Sequence, residues 1–199
     1  VLTLDLHAAQ IQGFFDIPVD HLSASTVFVD YFESIRHELP DLCLVSPDVG
    51  NLKVAEGMQN LLKGDIAFIN KKRISGTEVS GQIIGDVKGK TVLMFDDIIS
   101  TAGTVCEAAK VVMAAGARQV IAAATHAVMA GPAVQRLADS PISRIMVTNS
   151  IPVRPERVAP IKDKLVELCV GELLGKAIIR IHNNQSISEL FKKTAGTKR

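Results

Sequence analysis

The chain alternates short apolar runs with longer segments in which apolar residues recur every three or four positions. Short runs of this kind predict buried strands, and the longer spacing predicts amphipathic helices. The predicted strands are 1–5, 42–45, 66–69, 83–84, 91–95, 120–125 and 144–148, with 161–165 a short strand or a turn. The predicted helices are 26–39, 52–62, 105–115, 131–137 and 169–181. This alternation predicts an α/β fold: a parallel, doubly wound sheet flanked by helices.

Composition agrees with that fold and excludes several functions. The 199 residues are 47% hydrophobic and only 4% aromatic, and small aliphatic residues dominate, as in parallel sheets covered by helices. A net charge of +1 gives no case for nucleic acid or membrane partners. Three well-separated cysteines indicate packing residues in a reducing cytoplasm. Because the chain begins inside a predicted strand, we expect it to be a fragment of a longer protein.

The run 95–104 (FDDIISTAGT) is the most informative stretch of the sequence. It connects a predicted buried strand to a predicted helix, so it places a turn at a helix N-terminus. Free N–H groups and the positive end of the helix dipole suit a phosphate there. Gly103 would allow close approach of the backbone. The residues of this predicted phosphate turn are Ser100, Thr101, Ala102, Gly103 and Thr104.

Two acids, Asp96 and Asp97, precede the phosphate turn. They would repel a phosphate, so we expect them to face two sugar hydroxyls or a metal. Together with the turn they predict a ribose-phosphate site. The alternative is an ordinary strand, loop and helix with acidic capping residues.

Three further groups of residues follow predicted strands. Asp5 and His7 are two apart and could share a ligand such as a divalent metal; the alternative is a capped turn with a surface histidine. Asp48 lies in a Pro- and Gly-containing turn, or in a plain turn of no function. Lys71 and Arg73 belong to a basic triplet in a predicted mobile loop, 71–81, and could close over a polyphosphate or be simply solvated. The ends of parallel strands share one sheet edge, so these residues can converge.

The segment 5–18 (DLHAAQIQGFFDIP) is similar to the signature of ribose-phosphate diphosphokinases. The motifs Ser46-Pro47-Asp48, Lys71-Lys72-Arg73 and 95–104 follow in the order and approximate spacing of that family. Type I phosphoribosyltransferases share the phosphate turn but lack the first motif. The resemblance covers nearly the whole chain, to about Phe191.

The resemblance implies a type I phosphoribosyltransferase-like fold and transfer of the diphosphoryl group of ATP to the C1 hydroxyl of ribose 5-phosphate. It implies that His7 and Asp48 hold magnesium (Mg²⁺) near ATP, and that Lys71 and Arg73 are catalytic. Asp96 and Asp97 would bind the ribose hydroxyls, and the phosphate turn would bind the 5-phosphate. It also implies a cytoplasmic homo-oligomer built from dimers.

The resemblance further implies a domain layout. Residues 1–22 would be the remnant of an N-terminal phosphoribosyltransferase-like domain that is mostly missing, 23–191 the C-terminal domain, and 192–199 a flexible tail. The chain departs from the family at three places. Ser100 stands where the family usually has an acid, Asn51 where it has a second glycine, and Ile74 where it often has proline. The Ser100 change predicts altered sugar binding or altered water around the metal.

Two other functions stay open from the sequence. The departures at Ser100 and Asn51 allow a non-catalytic regulatory subunit of such an enzyme, although His7, Lys71 and Arg73 argue against it. A type I phosphoribosyltransferase is allowed by the phosphate turn, but the segment 5–18 counts against it.

Overall fold

The structure is a computed structural model that describes residues 1–47, 52–73 and 79–191, and for 71–73, 79–81 and 191 it describes the backbone alone. The strands of the described chain are β1 (Leu2–Leu4), β2 (Asp20–Leu22), β3 (Leu42–Ser46), β4 (Asp65–Arg73), β5 (Val79–Ile84), β6 (Thr91–Ile98), β7 (Gln119–His126), β8 (Ile142–Thr148) and β9 (Leu165–Leu168). The α-helices are α1 (Ser25–Ser34), α2 (Leu52–Leu62), α3 (Gly103–Ala114), α4 (Ala133–Ala138), α5 (Pro155–Val158) and α6 (Gly171–His182). Short 3-10 helices cover Ala9–Phe14, Arg36–Glu38, Ala159–Ile161 and Ile187–Phe191.

Seven strands form one sheet in the order β5-β4-β3-β6-β7-β8-β9. All neighbours in it are parallel except β4 and β5, which are antiparallel. The central strands β6 and β7 are buried over most of their length, because helices cover both faces of the sheet. The predicted parallel α/β fold is therefore confirmed.

The two faces of the sheet hold separate hydrophobic cores. Successive side chains of a strand point to opposite faces, so Val92 and Met94 of β6 pack in one core and Leu93 and Phe95 in the other. Helices α3 and α4 cover the first face, and α1 and α2 cover the second. Phe28 of α1 meets Phe95 edge to face, with ring centroids 4.8 Å apart. This is the doubly wound arrangement that the sequence predicts.

The N-terminal strand differs from the prediction. It is shorter, Leu2–Leu4, and it pairs in parallel with Asp20–Leu22, a strand that the sequence pattern does not indicate, in a separate two-stranded sheet. Asp5, with φ of 39°, ends the strand because a left-handed residue cannot continue the extended backbone.

The prediction of a mobile loop over 71–81 is wrong for residues 71–73 and 79–81, which belong to strands. Lys71 pairs with Gly81 and Arg73 with Val79 across an antiparallel ladder, so these residues extend β4 and β5. The sequence pattern did not indicate these strand ends because their residues, apart from Val79, are polar or glycine. The strands are paired there through backbone hydrogen bonds, which do not require apolar side chains. The remaining part of the predicted loop, 74–78, lies outside the described residues.

Other boundaries move by a few residues. The helix predicted over 26–39 ends at Ser34 and gives way to the 3-10 turn Arg36–Glu38. The strand or turn predicted over 161–165 becomes a 3-10 turn, Ala159–Ile161, followed by the edge strand Leu165–Leu168. Within the described ranges, no helix combines the length and the apolar character that crossing a bilayer requires.

Candidate functional site

A cleft of about 840 Å³ opens at the carboxyl ends of β3 and β6, where ligands bind in sheets of this type. Its apolar wall comes from α2, through Val54, Met58 and Leu61. Its polar wall contains most of the residues predicted to form the site. These are His7, Asp96, Asp97, Ser100, Thr101, Ala102, Gly103 and Thr104, together with Asp5 and Pro47.

His7 and Asp97 are in direct contact although they are 90 residues apart in the chain. The His7 Nδ1 atom lies 2.7 Å from the Asp97 Oδ2 atom. An ionised carboxylate only accepts hydrogen bonds, so Nδ1 carries the proton and a neutral ring keeps a lone pair on Nε2. The imidazole is 80% exposed and the Asp97 side chain 23%. A residue predicted to bind metal is thus oriented by one predicted to bind the sugar.

Asp5 has a largely structural environment. Its Oδ2 atom accepts hydrogen bonds from the Ala24 N–H group at 2.9 Å and from the Thr125 hydroxyl at 2.7 Å. These bonds join the end of β1 to the start of α1 and to the end of β7. Asp5 lines the cleft beside His7, but one of its two oxygens already has two donors.

His126 is a residue of the site region that the sequence did not single out. Its Nε2 atom lies 3.0 Å from the Leu4 carbonyl oxygen and 3.1 Å from that of Asp5, so Nε2 is the donor. Its Nδ1 atom lies 2.9 Å from the Ser150 hydroxyl. His126 therefore attaches β1, and with it the segment that presents His7, to the carboxyl end of the main sheet. No local motif in the sequence signals this role.

The phosphate turn differs in detail from the expectation. Strand β6 continues to Ile98, so Asp96 and Asp97 belong to the strand itself. Ala102, with φ of 58° and ψ of 10°, is the left-handed residue that starts α3. Gly103 is the first residue of the helix and is not among the residues with positive φ in the described chain.

The carbonyl groups of the turn accept hydrogen bonds from residues that are not among those lining the cleft. The Ala130 N–H group donates to the Ser100 carbonyl at 2.8 Å, and the Arg136 Nη1 group donates to the Thr101 carbonyl at 3.1 Å. The Cys106 N–H group donates to the Ala102 carbonyl at 3.1 Å. Burial raises the pKa of the Cys106 thiol, so it adds no negative charge beneath the turn at neutral pH.

The cationic residues predicted for the site lie on β4. Ser46 at the end of β3 pairs with Phe68, so the backbone of Lys71 to Arg73 extends about 10 Å or more beyond that end. None of the described residues that line the cleft is Lys or Arg. Asp48 lies outside the described residues, directly after Pro47 in the cleft wall. The roles of Lys71, Arg73 and Asp48 stay predictions.

Comparison with known proteins identifies the family. A family model described as phosphoribosyl synthetase-associated domain matches residues 67–192. The ribose-phosphate pyrophosphokinase of Rhodopirellula baltica is 51% identical over 195 residues, which are 97% of this chain and 61% of that protein. Ribose-phosphate pyrophosphokinase 1 of Listeria innocua is 49% identical over 193 residues, which are 96% of this chain and 59% of that protein. The chain spans about three fifths of the length of these curated relatives.

A solved structure agrees in fold. Phosphoribosylpyrophosphate synthetase from Mycobacterium smegmatis superposes with a TM-score of 0.82 at 38% identity, over 92% of this chain and 58% of that one. The resemblance predicted from the motifs is therefore confirmed. Because the family model matches more than half of its residues, the chain belongs to the phosphoribosyl synthetase-associated domain family.

Proposed function

We propose that this chain is part of a ribose-phosphate diphosphokinase, and that its cleft binds ribose 5-phosphate for diphosphoryl transfer from ATP to the C1 hydroxyl. The products are AMP and phosphoribosyl diphosphate. The observation behind the proposal is that His7, Asp97 and the phosphate turn, distant in sequence, line one cleft at the carboxyl edge of the sheet. The named relatives support the same reaction.

The phosphate turn is suited to the 5-phosphate. The N–H groups at the start of α3 are free of intrahelical partners, as at every helix N-terminus, and the helix dipole favours an anion. Ser100, Thr101 and Thr104 add hydroxyl groups that also line the cleft. In this arrangement Asp96 and Asp97 would accept hydrogen bonds from the ribose hydroxyls, and Asp97 is also in contact with His7.

The magnesium ion that we propose for this site would be bound largely by substrate oxygens and water. Magnesium in phosphoryl-transfer sites takes one or two carboxylates and completes its shell with substrate oxygens and water. In the part of the chain that the structure describes, no cluster of three or more His, Cys, Asp or Glu forms a closed metal cage. His7 and Asp48 would hold the ion, and Asp97 orients His7. Bound magnesium supplies charge neutralisation on the polyphosphate.

The protein's own part in the reaction is positioning and charge. Phosphoryl transfer involves little covalent chemistry by the enzyme, so rate depends on aligning the attacking hydroxyl with the transferred group. Lys71 and Arg73, on the arm of the β4–β5 hairpin, would stabilise the negative charge that develops during transfer. We further propose a cytoplasmic homo-oligomer built from dimers; the three free thiols are compatible with a reducing compartment.

The test measures AMP release from ATP by the complete protein, with and without ribose 5-phosphate and magnesium. Both are expected to be required. Asp97→Asn keeps the size of the side chain but removes its charge, and we expect about 10- to 100-fold lower kcat/KM for ribose 5-phosphate. Asp139→Asn, an exposed carboxylate paired with Gln135 on α4, is the matched control and should leave kcat/KM unchanged.

AMP release that ignores ribose 5-phosphate, or full activity of Asp97→Asn, would contradict the proposal. Release of diphosphate that depends on a purine or pyrimidine base would favour a phosphoribosyltransferase. An inactive protein that assembles with an active relative would favour a regulatory subunit.

A further inference from the structure

We propose that Arg136 is a positioning residue for the phosphate turn, because it orients the turn's backbone from outside the cleft. Arg136 lies on α4, 35 residues from the turn, and its Nη1 group donates to the Thr101 carbonyl at 3.1 Å. It is not among the described residues that line the cleft, so it acts through the backbone. The inference rests on the proposed function in that the anion held by the turn is the phosphate of ribose 5-phosphate.

The geometry of the peptide unit explains the effect. In a planar trans peptide the C=O and N–H groups point in opposite directions, and the described chain contains no cis peptide bond. When Arg136 holds the Thr101 carbonyl outward, the N–H group of the next residue, Ala102, is turned toward the cleft. The Ala130 N–H group does the same for the preceding peptide by holding the Ser100 carbonyl, which turns the Thr101 N–H inward.

Both N–H groups are available to an anion. In the described chain, no backbone carbonyl accepts a hydrogen bond from the Thr101 or Ala102 N–H group. Both residues line the cleft. Successive N–H groups next to a left-handed residue form a concave site that suits an anion, and Ala102 is that residue, with φ of 58°.

An anchor is needed because the turn has an unfavourable backbone conformation. Residues other than glycine seldom adopt positive φ. Without the hydrogen bond from Arg136 to the Thr101 carbonyl, Ala102 would favour other conformations. In those, the Thr101 carbonyl could turn toward the cleft and repel the phosphate. Arg136 stabilises the productive orientation and adds a positive charge behind the turn.

Gly103 leaves room for this contact. A Cβ atom at this position would lie 3.4 Å from the Arg136 Nη1 atom and 3.9 Å from the Thr101 Oγ1 atom. The open side of Gly103 therefore faces the guanidinium. This gives Gly103 a second role beside the one expected from the sequence, close approach of the backbone to the phosphate, which stays a prediction.

The experiment compares Arg136→Met, Arg136→Lys and Arg118→Met in the complete protein. Arg118 is the matched control because it is exposed and lies at the amino ends of the strands, where its guanidinium is 3.6 Å from the Asp41 carboxylate. For Arg136→Met we expect the KM for ribose 5-phosphate to rise about 5- to 20-fold, from loss of one charged hydrogen bond. The KM for ATP and kcat should stay within about twofold of wild type. Arg136→Lys keeps a charged donor and should recover to within about threefold of wild type.

Binding of inorganic phosphate, measured by titration calorimetry on the same proteins, separates this inference from the proposed function. If the wild type shows no ribose 5-phosphate-dependent turnover but Arg136→Met weakens phosphate binding, the proposed function fails and the role of Arg136 stands. If the wild type turns over and Arg136→Met keeps the wild-type KM for ribose 5-phosphate, the role of Arg136 is overturned. An equal loss toward ATP and ribose 5-phosphate would also overturn it, since that indicates general damage.

Discussion

At the scale of single residues, the candidate site contains two residues with an unfavourable backbone conformation. Asp5 and Ala102 are two of the six non-glycine residues with positive φ in the described chain, and both line the cleft. Each is held by contacts from other elements: Asp5 by Ala24 and Thr125, and the peptide before Ala102 by Arg136. Strained residues persist where the surrounding structure over-determines them, and they concentrate at functional sites.

The role of His126 leads to a prediction about the attachment of β1. His126→Phe removes the Nε2 donor that serves the Leu4 and Asp5 carbonyls. We expect the free energy of unfolding to fall by about 1–2 kcal/mol and amide exchange to accelerate in residues 2–5. Urea denaturation and hydrogen exchange measure the two effects. His182→Phe, an exposed site at the end of α6, is the control; equal exchange rates in His126→Phe and wild type would refute the role.

A second residue-scale prediction concerns acid stability. The hydrogen bond from the Arg144 guanidinium lowers the pKa of Glu38 below its usual range. Because the folded pKa is depressed, the pair stabilises the protein above the pKa of an unfolded glutamate, about 4.3, and this contribution is lost as pH falls through the lower folded value. The stability difference between wild type and Glu38→Gln should therefore shrink between pH 6 and pH 3 in urea titrations. A difference that does not change with pH would contradict this.

At the scale of elements, the strands extend further than their apolar cores. Strand β6 runs three residues past Phe95, to Ile98, and β4 runs four past Ile69, to Arg73. Apart from Ile98, the residues of the extensions are polar. The extensions lie at the carboxyl edge, which is where a parallel sheet presents ligand-binding residues. Hydrophobic periodicity marks only the buried part of each strand, so it underestimates the parts that form the site.

The turn between β5 and β6 depends on a glycine. At Gly85, φ is 113°, and a Cβ atom would lie 2.6 Å from the Cβ of Ala67. Gly85→Ala should therefore lower the free energy of unfolding by about 2–4 kcal/mol, from steric overlap and backbone strain together. Gly89 is a matched control, because its φ is 71° but its Cβ would meet open space.

For Gly89→Ala we expect a loss of about 1 kcal/mol, from backbone conformation alone. Chemical denaturation of both variants gives the comparison. Equal losses in the two variants would show that contact with Ala67 is unimportant.

At the scale of the whole molecule, one sheet separates two cores, and two of the three cysteines are buried in the same core. Cys43 lies fully buried on β3, and burial raises the pKa of its thiol to about 11. Cys106 is also buried, whereas Cys169 is exposed before α6. Reaction of a thiol needs both access and the thiolate form, so the three cysteines should differ strongly in reactivity.

We predict that an aromatic disulfide reagent at pH 8 modifies one thiol rapidly in the native protein and the other two only after unfolding. Mass spectrometry should locate the rapid modification at Cys169, and Cys169→Ser should abolish the rapid phase. Rapid modification of Cys43 in that variant would mean that the core on that face opens readily.

The sequence alone determined the fold class and the location of the main motifs, because these depend on local patterns. Alternating apolar runs specify strands and helices, and the run 95–104 specifies a strand, a turn and a helix start within ten residues. Only the tertiary structure decided how those parts are held. The contacts of His7 with Asp97, of His126 with the end of β1, and of Arg136 with Thr101 join residues 90, about 120 and 35 positions apart. Such pairings follow from the packing of whole elements, which no local pattern of residues encodes.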